Sequence, residues 1–224
     1  MGVAVFFYMT EKNCTFAPII LQSNKMTQEE KKSYALGIAV GANYLQMGIK
    51  VNEVAFANGF SDTVNQKQLQ LSETEITQIL DSIQGDIEKE HQSQIDAEKE
   101  KGRKFLELNK EKFGVNQTHS GLQYRVIRES IGKKPNANDT VEVHYEGRLI
   151  DGTIFDSSIR RGETIEFPLN QVIAGWTEGI QLMSEGSKFE FYIPSHLAYG
   201  DQNVGEVIKG GSTLIFEVEL FKVK

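Results

Sequence analysis

Side chains suited to nucleophilic, acid-base or metal chemistry are few and scattered in this sequence. The single cysteine is Cys14, and the histidines His91, His119, His144 and His196 show no HExxH or paired ligand spacing. The sequence also has no GxSxG, P-loop or GxGxxG motif. We therefore expect no internal disulfide, no metal site and no cofactor.

Aromatic residues are instead concentrated in the C-terminal half, within four separated motifs. These are VHYEGRLIDGTIFDSS, VIAGWTEGIQLM, IPSHLAYG and TLIFEVEL. In this order and spacing they resemble the FKBP family of peptidyl-prolyl cis-trans isomerases over roughly residues 121–224. The helical first half, with SYALGIAVG, resembles the dimerisation region of the Mip-like branch of that family.

The resemblance implies an aromatic pocket and assigns its residues one by one. The implied catalytic residues are Tyr145, Phe155, Asp156, Tyr199 and Phe216, and the implied substrate-binding residues are Arg161, Ile165, Val172, Ile173, Trp176, Val207 and Ile208. Trp176 is expected to form the floor. The Ile173 amide and the Tyr199 hydroxyl would hold substrate carbonyls, while Asp156 would set the polarity of one wall.

Two departures from the family pattern lie near this pocket. Ile165 stands where the family has another aromatic residue, and the loop QNVGEVIKGGS lacks the prolines common before the last strand. Glycine in place of proline increases the conformational freedom of a loop. The resemblance therefore leaves the rigidity of this loop open.

An aromatic pocket of this kind fits prolyl isomerisation on physical grounds. Rotation about an amide costs ~18–20 kcal/mol because resonance stabilises the planar, more polar form. An apolar site removes the water that stabilises that form, so the twisted amide is favoured without a nucleophile. Lowering the barrier by ~5 kcal/mol corresponds to roughly 10⁴-fold acceleration.

Other interpretations of these residues stay open at this point. Without the motifs, such aromatics are equally typical of core packing, and a turn at a strand end is the alternative role of Asp156. A non-catalytic peptide-binding or chaperone module that retains the pocket is the functional alternative. The retained aromatic set favours the enzyme, because a module freed of catalysis need not keep all of it.

Alternating apolar residues predict the strands that position the pocket. TVEVHYEG, KFEFYIP and STLIFEVELFKVK each place large side chains on one face, and NQVIAGWTEGIQLM is the only helical segment between them, with Asn170 as its expected cap. The predicted fold class is α+β: residues 115–224 form an antiparallel sheet packed on one short helix. An all-α dimerisation domain (residues 26–71) and a long connecting helix (residues 72–114) precede it.

Helical patterns account for the first half. T-Q-E-E from Thr27 and S-E-T-E from Ser72 are capping boxes, each followed by apolar residues at spacings of four, three and four. A short helix lies between them, around residues 52–60. Residues 88–104 are polar nearly all round, which is typical of a helix that bridges two domains through solvent and ends at Gly114.

These helices have too little apolar surface to form a core alone, so we expect a homodimer through residues 27–87. The other partners implied by the resemblance are proline-containing unfolded or partly folded protein clients, held in part by the dimeric N-terminal region. It also implies macrolide immunosuppressants as inhibitors. The formal charge of -7 argues against nucleic-acid binding.

The first 25 residues give the only indication of compartment. The apolar run from Val3 to Tyr8 has no basic residues before it and no A-x-A-like site after it, and it is too short to span a bilayer. We expect residues 1–25 to be a disordered extension and the protein to be cytoplasmic, without a membrane span. The periplasm or cell envelope is the alternative, because related proteins are often exported.

Overall fold

The computed structural model describes residues 26–224. Cys14 and the extension predicted for residues 1–25 lie outside this range. The chain divides into two compact units, Met1–Glu75 and Ile76–Lys224.

The N-terminal unit contains two helices, α1 (Gln28–Gln46) and α2 (Glu53–Val64). Helix α1 begins with the predicted capping box, because the Thr27 hydroxyl accepts the Glu30 amide at 3.2 Å while the Glu30 carboxylate accepts the Thr27 amide at 2.7 Å. It ends before Gly48, whose φ of 71° lies in the left-handed region that favours glycine.

Neither of these helices buries a single residue within one chain. The Tyr44 and Phe56 rings meet edge to face at 5.8 Å between centroids, and they are the ring contact between the helices. Their other large apolar side chains are exposed, among them Tyr34, Leu36, Ile38, Leu45, Val54, Phe60 and Val64. The apolar stripes predicted from the sequence are therefore present, and the part of the chain that the structure describes does not cover them.

Helix α3 (Glu73–Asn109) begins with the predicted capping box of Ser72 and Glu75. It ends at Asn109, five residues earlier than the predicted end at Gly114. Its C-terminal half is not surrounded by solvent as the polar sequence suggested, because Ile95, Gly102 and Asn109 are buried. These residues recur every seventh position, two helical turns apart, and so share one face.

A seven-stranded antiparallel sheet forms the C-terminal unit. Its order is β1-β2-β6-β7-β3-β4, and β5 pairs with β3. The strands are β1 (Val115–Gln117), β2 (Gln123–Arg128), β3 (Thr140–Leu149), β4 (Ile154–Ser157), β5 (Ile165–Pro168), β6 (Lys188–Ile193) and β7 (Leu214–Val223). Two short helices, α4 (Ser158–Arg161) and α5 (Ala174–Ile180), complete this unit together with two 3-10 turns. The predicted α+β class is confirmed.

The sheet buries the alternating residues that the sequence indicated. On β3 they are Val141, Val143 and Tyr145, on β6 Phe189, Phe191 and Ile193, and on β7 Leu214, Phe216, Val218 and Leu220. Strand β6 is also buried on its other face, where the Phe105 ring of α3 lies 6.0 Å from the Tyr192 ring. Helix α3 has a buried side because it packs on this second face of β6.

Helix α5 does not begin where the sequence suggested. Its N-cap residue is Ile173, which has no side-chain cap, whereas the Asn170 side chain donates to the Asn138 side chain at 3.3 Å. A 3-10 turn, Leu169–Gln171, separates Asn170 from the helix. The prediction of Asn170 as the cap was wrong, because Asn170 lies inside that turn and the next residue but one, Val172, is extended, so the α-helix begins only at Ala174.

Residues 26–224 contain neither a membrane-spanning helix nor a metal-binding cluster. In this part of the chain no helix has the length and apolar composition needed to cross a bilayer. The same residues contain no group of three or more histidine, cysteine or acidic side chains placed to hold a metal ion.

Candidate active site

A cavity of about 930 Å³ opens between the sheet, helix α5 and the loop that precedes β7. All but one of the site residues predicted from the sequence line it. They are Tyr145, Phe155, Asp156, Ile165, Val172, Ile173, Trp176, Tyr199, Val207, Ile208 and Phe216. The exception, Arg161, contacts the lining residues Asp156 and Tyr145 from outside.

Trp176 forms the centre of an aromatic cluster at the base of the cavity. Its ring lies edge to face with Tyr145 at 5.1 Å and with Phe216 at 5.0 Å between centroids, and it is only 5% exposed. Edge-to-face contacts are a preferred geometry of aromatic pairs. The cluster is therefore a rigid apolar surface and not a loose collection of side chains.

A glycine in β3 makes room for two of these rings. Gly147 pairs with Phe216 across the sheet, and a Cβ atom at Gly147 would lie 2.6 Å from the Phe155 ring and 2.7 Å from the Phe216 ring. The rings of Phe155 and Phe216 meet edge to face at 5.5 Å directly over it. Any side chain at this position would push the rings into the cavity.

One carboxylate interrupts the apolar wall. Asp156, at the end of β4, accepts a hydrogen bond from the Tyr145 hydroxyl on one oxygen and an ion pair from Arg161 on the other. Arg161 also donates to the Tyr145 hydroxyl at 3.1 Å, and its guanidinium lies 5.8 Å from the centre of the Tyr145 ring. The three side chains therefore restrain one another.

The electrostatics of this triad keep it in a single charge state. Burial favours the neutral form of Asp156, but hydrogen bonds from Tyr145 and Arg161 outweigh it and hold the pKa below its ordinary value. Burial, and then the hydrogen bond to Asp156, raises the pKa of Tyr145. Asp156 is thus ionised and Tyr145 protonated across the neutral range.

The loop before β7 forms the remaining wall. We call residues 199–213 the rim loop. Tyr199 is 37% exposed at its start, and Val207 and Ile208 line the cavity from its middle. A backbone bridge joins Val204 and Ile208, with the Val204 amide donating to the Ile208 carbonyl at 2.9 Å.

Several lining residues were not predicted from the sequence, and Phe167 is the most informative of them. Its ring lies 5.3 Å from that of Trp176, so Phe167 adds an aromatic side chain to the lining next to the predicted Ile165. Both residues face the cavity because alternate residues of β5 point the same way. The alternation in IEFP was the available signal. The other missed residues are Glu166, Gln171, Val204, Gly205 and Glu206.

Comparison with known families places this fold and cavity in one class. A family model described as FKBP-type peptidyl-prolyl cis-trans isomerase matches residues 132–221. A second, described as the domain amino terminal to that isomerase, matches residues 29–126. The chain belongs to the FKBP-type peptidyl-prolyl cis-trans isomerase family, and it is an enzyme of that class.

Individual relatives agree over most of the chain. The FKBP-type 22 kDa peptidyl-prolyl cis-trans isomerase of Escherichia coli is 42% identical over 198 residues, which cover 88% of this chain and 96% of the relative. The Outer membrane protein MIP of Legionella longbeachae is 41% identical over 88% of this chain and 87% of its own length. The predicted resemblance to the Mip-like branch is therefore confirmed.

A solved structure shows the same architecture. The crystal structure of FkpA from Escherichia coli matches with a TM-score of 0.68 at 34% identity, and the match covers 88% of this chain and 97% of that chain. The match spans the helical first half as well as the sheet.

Proposed function

We propose that the cavity lined by Tyr145, Trp176 and Phe216 accelerates rotation about prolyl peptide bonds in folding protein chains. The observation that supports this most directly is the combination of a rigid aromatic base with one ionised carboxylate in the wall. Water stabilises the planar amide, because that form has the greater charge separation. Such a site removes this water and so favours the twisted transition state.

Separate roles follow for the polar groups of the cavity. Ile173 and the partly exposed Tyr199 both line the cavity, and the Ile173 amide and the Tyr199 hydroxyl hold the substrate carbonyls on either side of the prolyl bond. Tyr145 and Arg161 hold the Asp156 carboxylate in place. Its charge therefore favours the carbonyl-carbon side of the twisting amide, and the side chain does not have to reorganise during the reaction. No proton or covalent bond is transferred in this scheme.

Two substitutions test these roles. Because each removes one polar contact to the transition state, we expect Tyr199→Phe and Asp156→Ala to lower kcat/KM on a short prolyl peptide by roughly 10-fold or more. Circular dichroism should show a folded domain in both. The matched control is Tyr124→Phe, since Tyr124 packs on Phe189 in the sheet and does not line the cavity. Full activity of both variants would remove the proposed roles.

The same cavity is the expected site of macrolide immunosuppressants of the FKBP-binding class. Its volume and its aromatic base suit a large apolar ligand with a few polar groups. We expect such compounds to compete with the prolyl peptide, so that KM rises with inhibitor concentration while kcat stays unchanged.

The N-terminal helices support a second part of the proposal, a two-fold dimer through residues 27–87 that also holds unfolded clients. Leu45 is 81% exposed, and residues 26–224 of the same chain do not cover the stripe to which it belongs. Contiguous exposed apolar surface of this kind marks a protein interaction site. A dimer with two cavities raises the effective concentration of client prolines near each site.

Deleting residues 1–71 tests the dimer and the client-holding role together. The shortened chain retains α3 from its cap onward. We expect it to sediment as a monomer and to keep kcat/KM on a short peptide within about 2-fold, yet to catalyse proline-limited protein refolding roughly 10-fold less well, since effective concentration is lost. A full-length chain that sediments as a monomer at micromolar concentration would refute this part of the proposal.

The cellular compartment stays a prediction. The cytoplasmic expectation rests on residues 1–25, outside the described range, whereas one relative carries the name Outer membrane protein MIP. That name favours the cell envelope alternative, which we adopt here. Fractionation of cells that express the complete chain, with a cytoplasmic and a periplasmic marker enzyme as references, distinguishes the two.

A further inference from the structure

The rim loop lies directly against the backbone of helix α3. A Cβ atom at Gly211 would lie 2.6 Å from the Ile95 carbonyl oxygen and 3.2 Å from the Lys99 amide nitrogen, and Gly211 has a φ of 85°. Only glycine permits this approach without a clash. Lys99 also forms an ion pair with Asp201 of the same loop at 2.6 Å.

A second glycine, Gly102 of α3, makes the contact between the helix and the rim loop equally close at the end of the loop. A Cβ atom at Gly102 would overlap the Thr213 hydroxyl, where the rim loop enters β7. On the same helix, a Cβ atom at Gly85 would meet no atom within 4 Å. The two helix glycines therefore differ in what faces them: Gly102 meets the rim loop, and Gly85 meets no neighbouring atom.

Hydrogen bonds link the part of the rim loop that contacts α3 to the residues near the cavity. The Gly211 amide donates to the Gly200 carbonyl at 2.8 Å, and Gly200 directly follows Tyr199. The Gly210 amide donates to the Asn203 side chain, also at 2.8 Å. Both ends of the loop are thereby joined where α3 touches it, and the residues that face the cavity extend from that base.

We infer that helix α3 is a positioning element of the active site, in which Ile95, Lys99 and Gly102 hold the rim loop and thereby place Tyr199, Val207 and Ile208 against the substrate. The glycines at 210 and 211, which in a free loop would increase mobility, here allow a helix to support the loop. This inference rests on the proposed role of the rim loop in the cavity.

Substituting the two helix glycines separates positioning from helix stability. Gly102→Ala forces the loop away from α3, so we expect kcat/KM on a short prolyl peptide to fall by roughly 3- to 10-fold, mostly in kcat, since small misplacements of positioning groups are costly. Gly85→Ala has the same effect on helix propensity and should keep wild-type kcat/KM. Wild-type activity of Gly102→Ala, or an equal loss in Gly85→Ala, would overturn the inference.

A rescue experiment identifies the contact. In the Thr213→Ala background, the nearest atom to the new methyl group is the Cβ of residue 213, at 3.1 Å. Gly102→Ala should then cost less than about 2-fold relative to Thr213→Ala alone, as a double-mutant cycle measures. Thr213→Ser keeps the hydroxyl and should not rescue. Equal losses in the alanine and serine backgrounds would contradict the proposed contact.

Lys99→Met tests the inference without adding bulk, in case Gly102→Ala disturbs folding. Loss of the ion pair to Asp201 should speed amide hydrogen exchange at Gly200 and Gly211 but leave β3 and β7 protected. Lys89→Met, which removes a lysine that faces Asp86 within α3 itself, is the control. Unchanged exchange in the rim loop would overturn the inference, while loss of activity in Tyr199→Phe shows separately whether the proposed function holds.

Discussion

Helices α1 and α2 and the C-terminal sheet treat apolar residues in opposite ways. The sheet buries Phe191, Leu122 and Ile180 completely, whereas α1 and α2 bury no residue. Both regions show clear hydrophobic periodicity in sequence. Periodicity therefore identifies the face that must be covered, but not which part of which chain covers it. The sheet is covered by helices of its own chain, and we propose that α1 is covered by a second copy.

The largest effect is expected in α1, because we propose that a second copy of the chain covers its apolar stripe. Ile38→Asp places two charges in the proposed dimer interface, so the dimer dissociation constant should rise by at least about 1,000-fold, because an unpaired buried charge costs several kcal/mol. Sedimentation velocity measures this. Ser33→Asp, which lies about 140° away from Ile38 around the axis of α1, is the control and should remain dimeric. A dimeric Ile38→Asp variant would show that this stripe is not the interface.

A core substitution in the sheet should act only within its own unit. Phe191→Ala removes a fully buried ring, so we expect the free energy of unfolding of the C-terminal unit to fall by about 3–5 kcal/mol. Urea denaturation followed by tryptophan fluorescence measures the loss. Sedimentation of the folded variant should still show a dimer. A folded Phe191→Ala variant that sediments as a monomer in the absence of urea would show that the two regions are coupled.

A smaller, pH-dependent effect is expected at Glu190, which is buried in β6 between two arginines. Burial works to raise its pKa, but hydrogen bonds from Tyr192 and Arg148, with the charge of Arg125, hold the pKa below its ordinary value. Because the folded pKa is lowered, its stabilisation is present above the unfolded pKa of about 4.3 and is lost as the pH falls through the folded value.

Glu190→Gln should therefore lower the free energy of unfolding by roughly 1.5–3 kcal/mol at pH 7, with the difference from wild type shrinking as the pH falls below about 4. Burial and the hydrogen bond to Glu190 raise the pKa of Tyr192 to about 12, so that pKa should fall in the variant. Urea unfolding at pH 7 and at a pH below about 4, with the exposed Glu129→Gln as control, checks the prediction. A constant difference at both pH values would contradict the ionic origin.

Local signals in the sequence were sufficient for much of the fold. The capping boxes at Thr27 and Ser72 predicted two helix starts because their interactions lie within four residues. The alternation around Tyr145 and Phe216 predicted buried strand faces in the same way. The cavity residues came from motif resemblance, since no periodicity reveals which buried aromatics surround an empty space.

What the sequence did not reveal depends on contacts between distant segments. Ile95 is one apolar residue in a polar stretch, so nothing nearby indicated that this face of α3 is buried. Gly210 and Gly211 indicated a mobile loop, because the helix that approaches them lies about a hundred residues earlier in the chain. Phe167 was missed because the resemblance pointed only to Ile165, two residues away on the same strand face.

The aromatic base of the cavity also gives this protein an optical probe. The chain has one tryptophan, Trp176, and its indole is enclosed by Tyr145, Phe167 and Phe216. Fluorescence excited at the red edge of the absorption band therefore comes from the cavity alone, in the full-length chain and without a label. Occupancy by a prolyl peptide can be followed in real time even while a large, tryptophan-free client is refolding on the same molecule.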